Sequence, residues 1–194
     1  MGSLESIAYL RACTEADEAF VYDVFCTTWE SEVAALPNQN LAQHVLRIQH
    51  IAQERRFAGR FPDHQRYVVM EGDQPAGRLY VDETGPVLQV IDLTLMPKFR
   101  DRGIGTRIFG DLFAHAEHHG LNVRLRVERR NERATMLYTA LGFELVSMDD
   151  LDNFFEWVPS TALTKEDQAG LVKEDPSLLT KEDAAARVHD GSRA

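Results

Sequence analysis

Apolar and polar residues change their period several times along this chain, and each change predicts an element. Residues 66–71 and 77–83 are short apolar-rich runs on either side of Gly72–Pro75, which predicts a β-hairpin. Residues 87–95 (VLQVIDLTL) form a longer apolar run that ends before Pro97, as a strand would. Residues 123–128 read as another strand, and 143–148 with 152–158 as a final pair. Residues 6–11 alternate enough for an edge strand. Helical spacing fills the gaps. Thr14 with Asp17 has capping-box spacing, and a helix is expected from there to about Glu30. Leu41, Val45, Leu46, Ile48 and Ile51 recur at helical spacing and predict a second helix from about Asn40 to Arg56. A third is expected from about Thr106 to His119, stopped by Gly120, and a fourth between Asn131 and Gly142.

The order is β-α-α-β-β-β-α-β-α-β-β, a mixed α/β domain over residues 1–159. From Ser160 the pattern is lost. LTKED (163–167), LVKED (171–175) and LTKED (179–183) recur every eight residues among alanines and charges, with Gly170 and Pro176 as breakers. An eight-residue step drifts about 80° around a helix, so Leu163, Leu171 and Leu179 make no straight stripe. Residues 160–194 read as a solvated helical or disordered tail, or as a docking segment. Three of the four lysines, Lys165, Lys173 and Lys181, sit at one place in the repeat, and only Lys98 lies in the domain.

Composition narrows the class. The chain has 194 residues, enough for one domain with a remainder, and 44% are hydrophobic, enough for a core. Net charge is −10, which argues against nucleic-acid binding and weakly favours a cationic or amine-bearing partner. No apolar run is long enough for a membrane span, and MGSLESIAYL does not read as a secretory signal. Cys13 and Cys26 are the only cysteines and read as buried thiols in a reducing cytoplasm.

The most informative local feature is RDRGIGTRIFG, Arg100–Gly110, at the start of the third helix. Glycines at a helix start let an anion approach free amides and the positive end of the helix dipole. Two familiar phosphate loops are excluded. A dinucleotide fingerprint needs glycine where Ile108 stands, and a P-loop needs Lys-Ser/Thr where Asp111 and Leu112 stand. What remains is Arg-x-x-Gly-x-Gly over Arg100, Gly103 and Gly105.

A second segment, NERATMLYTALGF (131–143), places Asn131, Ala134, Tyr138, Gly142 and Phe143 at set spacings. Together the two segments resemble the GNAT superfamily, the acyl-CoA-dependent N-acyltransferases. The element order resembles that family too, over about residues 5–158. The resemblance implies a GNAT-like fold and acyl-CoA as co-substrate, with no metal. It implies that the backbone of Arg100, Asp101, Arg102, Gly103, Ile104, Gly105 and Thr106 cradles the pyrophosphate. Leu93 to Leu95 would pair with the pantetheine arm where their strand splays from its neighbour. Asn131 would contact that arm or simply cap its helix.

The implied reaction is attack of a neutral amine on the thioester, with a backbone N–H near Leu95 on the oxyanion. Tyr138 matches the family's general acid; its alternative role is a core anchor. The base is open. Some members carry a carboxylate where this chain has Arg126, others where it has Gln89. Asp92 is the remaining candidate, since an acid in an apolar strand is costly unless used or paired with an arginine; Glu128 comes next. The acceptor would be an amine-bearing small molecule, peptide or protein, and a homodimer is possible. Arg60, Phe61 and His64 would line the acceptor groove or form a packed connector. The rival reading is a non-catalytic acyl-CoA-binding regulator. His115, His118 and His119 cluster near a helix end, but no carboxylate completes a metal set in the sequence.

Overall fold

The computed structural model describes residues 4–160. Seven strands form one sheet: β1 (Leu10–Ala12), β2 (Gln65–Glu71), β3 (Gln74–Asp82), β4 (Val87–Leu95), β5 (Asn122–Glu128), β6 (Glu144–Met148) and β7 (Asp152–Trp157). The helices are α1 (Glu18–Cys26), α2 (Glu30–Ala34), α3 (Gln39–Arg60), α4 (Ile104–His119) and α5 (Glu132–Ala140). The strand order is β1-β2-β3-β4-β5-β7-β6. Only β4 and β5 are parallel, because α4 carries the chain back before β5 begins. This is the mixed α/β architecture that the periodicities predict. The tail repeat, with Lys165, Lys173 and Lys181, lies outside the described residues. Among the described residues no helix is long and apolar enough to cross a membrane.

α4 supplies the main core. Ile104, Ile108, Leu112 and Ala116 recur every fourth residue and bury one stripe against Leu79, Val81, Leu88, Val90, Val123 and Leu125 of the sheet. Tyr138 and Leu141 of α5 pack against the same cluster. Cys13 and Cys26 are free thiols, half-buried, and burial pushes both thiol pKa values up.

The first two helices depart from expectation. The strand expected at 6–11 begins only at Leu10, because Leu4–Ser6 form a 3-10 turn that buries Leu4. The Asp17 carboxylate does accept from the Thr14 N–H, at 2.8 Å. The helix that follows stops at Cys26 rather than Glu30. There the hydroxyls of Thr27 and Thr28 donate to carbonyls three residues back, each at 2.8 Å, and the chain turns before α2. α3 is longer than expected, capped by Asn38, whose side chain accepts from the Leu41 N–H at 2.9 Å.

α3 also presents a different face. Leu41, Ile48 and Ile51, expected to face inward, are 42%, 61% and 50% exposed. Gln53, Glu54 and Phe57 face the sheet instead, and His50 packs on Tyr22 and Phe25 of α1. The cause is Arg78 on β3, which is fully buried. Its Nε donates to Asp92 Oδ2 at 2.8 Å, one terminal nitrogen donates to Gln53 Oε1 at 2.7 Å, and the other lies 3.5 Å from Glu54 Oε1. A buried guanidinium needs such partners, so α3 turns its polar side inward.

β4 bends at its centre. Tyr80 faces Asp92 but Val81 faces Val90, so Ile91 is an extra, bulged residue. At the far end β3 and β4 approach closely at Gly77. A Cβ there would collide with the Thr94 carbonyl and come within 2.8 Å of Leu95 Cδ2, so no other residue fits without moving the end of β4.

Replacing Arg78 with methionine leaves the Asp92 carboxylate without its charged partner. Loss of one member of a buried ion pair costs about 3–5 kcal/mol. Urea unfolding of Arg78→Met is expected to show a loss of that size, and the double variant Arg78→Met/Asp92→Leu is expected to recover part of it. A wild-type midpoint for Arg78→Met would show that the pair does not hold the fold.

Candidate active site

After β4 the chain passes Pro97 and turns through Arg100–Gly103 into α4. Asp101 and Gly103 both have left-handed backbones, φ +62° and +74°. Arg133 of α5 bonds the Asp101 carboxylate and ties the loop to that helix. The Arg107 N–H donates to the Gly103 carbonyl at 3.0 Å, the first bond of α4. The amides of Ile104, Gly105 and Thr106 precede it and have no helical acceptor. With the positive end of the helix dipole they can hold an anion.

Gly105 tests whether a phosphate group fits here. A Cβ at Gly105 would touch only Leu137 Cδ2, at 3.8 Å, so packing does not require glycine. Glycine nonetheless costs a helix about 1 kcal/mol relative to alanine. Its missing side chain opens the approach to the free amides, as a large anion would need. The basic side chains are placed unequally. Arg100 points inward, donating to the Leu95 carbonyl at 2.9 Å and to Thr27 Oγ1 at 3.2 Å. Arg107 pairs with Glu71 at 2.5 Å. Arg102 lies over the Phe99 ring, 5.5 Å from its centroid.

Beside the loop the sheet opens. Parallel pairing of β4 with β5 ends at Val90–Leu125. Beyond it, Ile91–Leu95 lack a β5 partner, while Arg126–Glu128 pair with β7. The separation begins at the bulged Ile91, where the added twist turns β4 away. The Met96 N–H donates to Ala76 across β3, at 2.9 Å. By strand alternation the backbone groups of Leu95 and Leu93 face the opening. Gln89 lies before it and stitches the paired region, its side-chain amide donating to the Arg124 carbonyl at 3.2 Å.

Asn131 caps α5, accepting from the Ala134 N–H at 3.0 Å. Tyr138 of α5 is half-buried, edge-on to Phe109 at 5.5 Å and to Phe143 at 5.7 Å. Among the described residues no group hydrogen-bonds its hydroxyl. Burial, then the negative charge of Asp92, push its pKa up to about 12. Asp92 is therefore within electrostatic reach of Tyr138 while bound to Arg78. Thr94 Oγ1 lies 3.3 Å from both Asp92 oxygens.

The other sequence-derived residues fall elsewhere. Glu128 is held by Arg130 at 2.9 Å, and Arg126 lies 3.3 Å from the buried Asp152. Arg60 sits over the Phe61 ring, and His64 contacts the Phe61 carbonyl at 2.5 Å and packs on Tyr80. Sequence reading missed Arg78, Gln53 and Glu54 as the surroundings of Asp92. An arginine inside the apolar run 77–83 was the available signal. It also missed Glu83, which lies within reach of His115 and His119 and supplies the carboxylate the histidine cluster lacked.

A family model described as the Acetyltransferase (GNAT) family matches residues 21–143, and the chain belongs to that family. Enzymes of the family take acyl-CoA as co-substrate and need no metal. Solved structures show the same fold. A PaiA N-acetyltransferase from Thermoplasma acidophilum, in complex with coenzyme A, is 17% identical with a TM-score of 0.59, over 77% of this chain and 97% of that one. A ribosomal L7/L12 alpha-N-protein acetyltransferase (RimL), also with coenzyme A, is 16% identical with a TM-score of 0.55, over 77% and 93%. A dodecameric spermidine N-acetyltransferase from Vibrio cholerae is 15% identical with a TM-score of 0.53, over 80% and 95%. No curated protein sequence gives a significant match.

The polar side of α3 generates a pH test. Burial and the positive charge of Arg78 hold the His50 imidazole below its ordinary pKa. The unfolded chain, titrating near 6.5, then takes up this proton first as pH falls, so stability is lost through and below that pH. Between pH 7 and pH 5 the wild type is expected to lose more unfolding free energy than His50→Gln in parallel urea titrations. Parallel curves would show that His50 does not resist protonation.

Proposed function

We propose that this chain is an N-acyltransferase that moves an acetyl or other acyl group from acyl-CoA to a primary amine by direct attack. The observation that carries this reading is the parting of β4 from β5 after Val90–Leu125, beside the unbonded amides at the head of α4. In this reading the pyrophosphate rests on the backbone of Arg100–Thr106, and the pantetheine arm pairs with Leu93 and Leu95. Arg100 occupies the Leu95 carbonyl, which leaves the Leu95 N–H for the thioester oxygen as it gains negative charge. Asn131 uses its carbonyl oxygen to cap α5 and keeps its side-chain N–H groups for the arm.

Tyr138 serves the departing sulfur. With a pKa near 12 its hydroxyl stays protonated at every physiological pH. An ordinary thiol titrates near 8.5, so the hydroxyl first acts as a hydrogen-bond donor to the thiolate. The C–N bond forms and the C–S bond breaks; the proton released by the amine restores the one that Tyr138 passes to sulfur. An amine of pKa near 10 arrives mostly as ammonium and must lose a proton before attack. Asp92, alone or through water, takes it. The net charge of −10 favours an amine-bearing small molecule, peptide or protein as acceptor. The likeness to a spermidine N-acetyltransferase supports the same class. We place the catalytic domain at residues 1–159 and the enzyme in the cytoplasm.

One observation favours a second reading, a non-catalytic acyl-CoA-binding regulator. Asp92 is engaged by Arg78, and Gln89 and Arg126 occupy positions where some family members carry carboxylates. Release of free thiol from acetyl-CoA across a panel of amines separates the two: amine-dependent release supports the enzyme.

Tyr138→Phe removes one hydroxyl and little volume. Turnover is expected to fall by roughly 10²–10⁴-fold, the usual range for a general acid, with coenzyme A affinity nearly kept. Wild-type turnover would make Tyr138 a structural anchor. Gly105→Ala is expected to stabilise the free protein by about 1 kcal/mol yet weaken coenzyme A binding in calorimetry. Gly110→Ala, on the same helix with open space around it, is expected to stabilise without that loss. Equal coenzyme A affinity in both variants would remove the phosphate from the head of α4.

A further inference from the structure

Glu83, His115 and His119 gather at the end of α4 remote from the anion-binding amides, roughly 20 Å along the helix by its rise per residue. Glu83 follows β3, and the two histidines stand one turn apart in the last part of α4. One ligand atom from each lies within 4.8 Å of the others. His115 Nε2 is 3.0 Å from Glu83 Oε1, and the two side chains are only 10% and 20% exposed. The imidazole centroids of His115 and His119 are 4.2 Å apart. His119 Nδ1 lies 2.8 Å from the His115 carbonyl, so this nitrogen donates and the lone pair stands on Nε2. A backbone carbonyl on the second ring nitrogen is the usual device that orients a metal-binding histidine.

We propose that Glu83, His115 and His119 bind one divalent transition ion, zinc foremost, and clasp the end of β3 to the end of α4. Two imidazole nitrogens and one carboxylate oxygen suit zinc, with water as fourth ligand. Magnesium and calcium prefer more oxygen ligands than this site offers. Tetrahedral zinc, with bonds of about 2.0–2.2 Å, sets its ligand atoms about 3.4 Å apart. Glu83 and His115 already approach that separation, and rotation of His119 closes the third side. On binding, His115 presents an unprotonated Nε2 and its proton moves to Nδ1 of the same ring, so neutral histidines release none. The negative end of the α4 dipole favours the cation. The ion stands apart from the acyl-transfer chemistry, which needs no metal, and its role is structural.

The test uses the full chain, freed of metal by chelation and titrated with zinc at pH 7.5 by calorimetry. One saturable site per chain, a rise in thermal midpoint with zinc and none with magnesium are expected. Glu83→Gln and His119→Ala, both checked for folding by circular dichroism, are each expected to lose about tenfold or more in zinc affinity. His118→Ala, whose ring contacts His119 edge-on at 4.9 Å, is expected to bind as the wild type does. No saturable binding would overturn the proposal. So would unchanged affinity in Glu83→Gln and His119→Ala, or an equal loss in His118→Ala.

Discussion

A guanidinium with no access to water governs one whole face of this protein. Arg78 projects from a central strand into the layer beneath α1 and α3, where an unpaired charge would be costly. Asp92 meets it from the neighbouring strand, and Gln53 and Glu54 meet it from α3. Three segments distant in sequence are thereby locked in one register. The same requirement turns three apolar residues of α3 outward, a conformation that hydrophobic burial alone would reject. Tyr80 joins the cluster, with the guanidinium carbons of Arg66 and Arg78 each 5.1 Å from its ring centroid. Burial pushes its hydroxyl pKa well up, so it contributes no competing charge.

The opening in the sheet depends on this locking. β4 cannot follow both of its neighbours: the bulge at Ile91 turns it away from β5, while Asp92 and the close approach at Gly77 hold its second half on β3. A free-standing strand end with unpaired backbone groups would ordinarily be a liability. Here it is rigid, because its other edge and its Asp92 side chain are fixed. The β4–β5 opening is thus a consequence of strand mechanics rather than of any single residue that lines it.

The two faces of the sheet divide the work. The α4–α5 face is apolar and carries the amides, Tyr138 and Asn131. The α1–α3 face combines an apolar cluster of Val21, Phe57 and Tyr80 with Asp92 and its polar partners. Asp92 couples the two, since its charge is felt by Tyr138 and its position is set by Arg78. A variant at Asp92 therefore disturbs both faces together, whereas Tyr138 and Gly105 can be altered with little effect on the fold.

Strand order, every helix but α2, the glycine loop, the Asn131 cap and the place of Tyr138 on α5 were legible in the sequence. Each rests on contacts between residues a few positions apart: alternation along a strand, a cap three residues before its amide, glycine at a helix start. Segment ends were less legible, because Thr27 and Thr28 compete for backbone carbonyls in a way that periodicity does not register. The sequence also marked Asp92 as anomalous and left open whether an arginine paired it. Only the tertiary structure decided that Arg78 does so, that α3 presents its polar face, that β4 leaves β5 at Leu125, and that Glu83 joins two histidines 32 and 36 positions away. Those facts depend on groups far apart in the chain meeting where water is scarce. Which meeting occurs is fixed by the packing of the whole sheet, not by any local stretch.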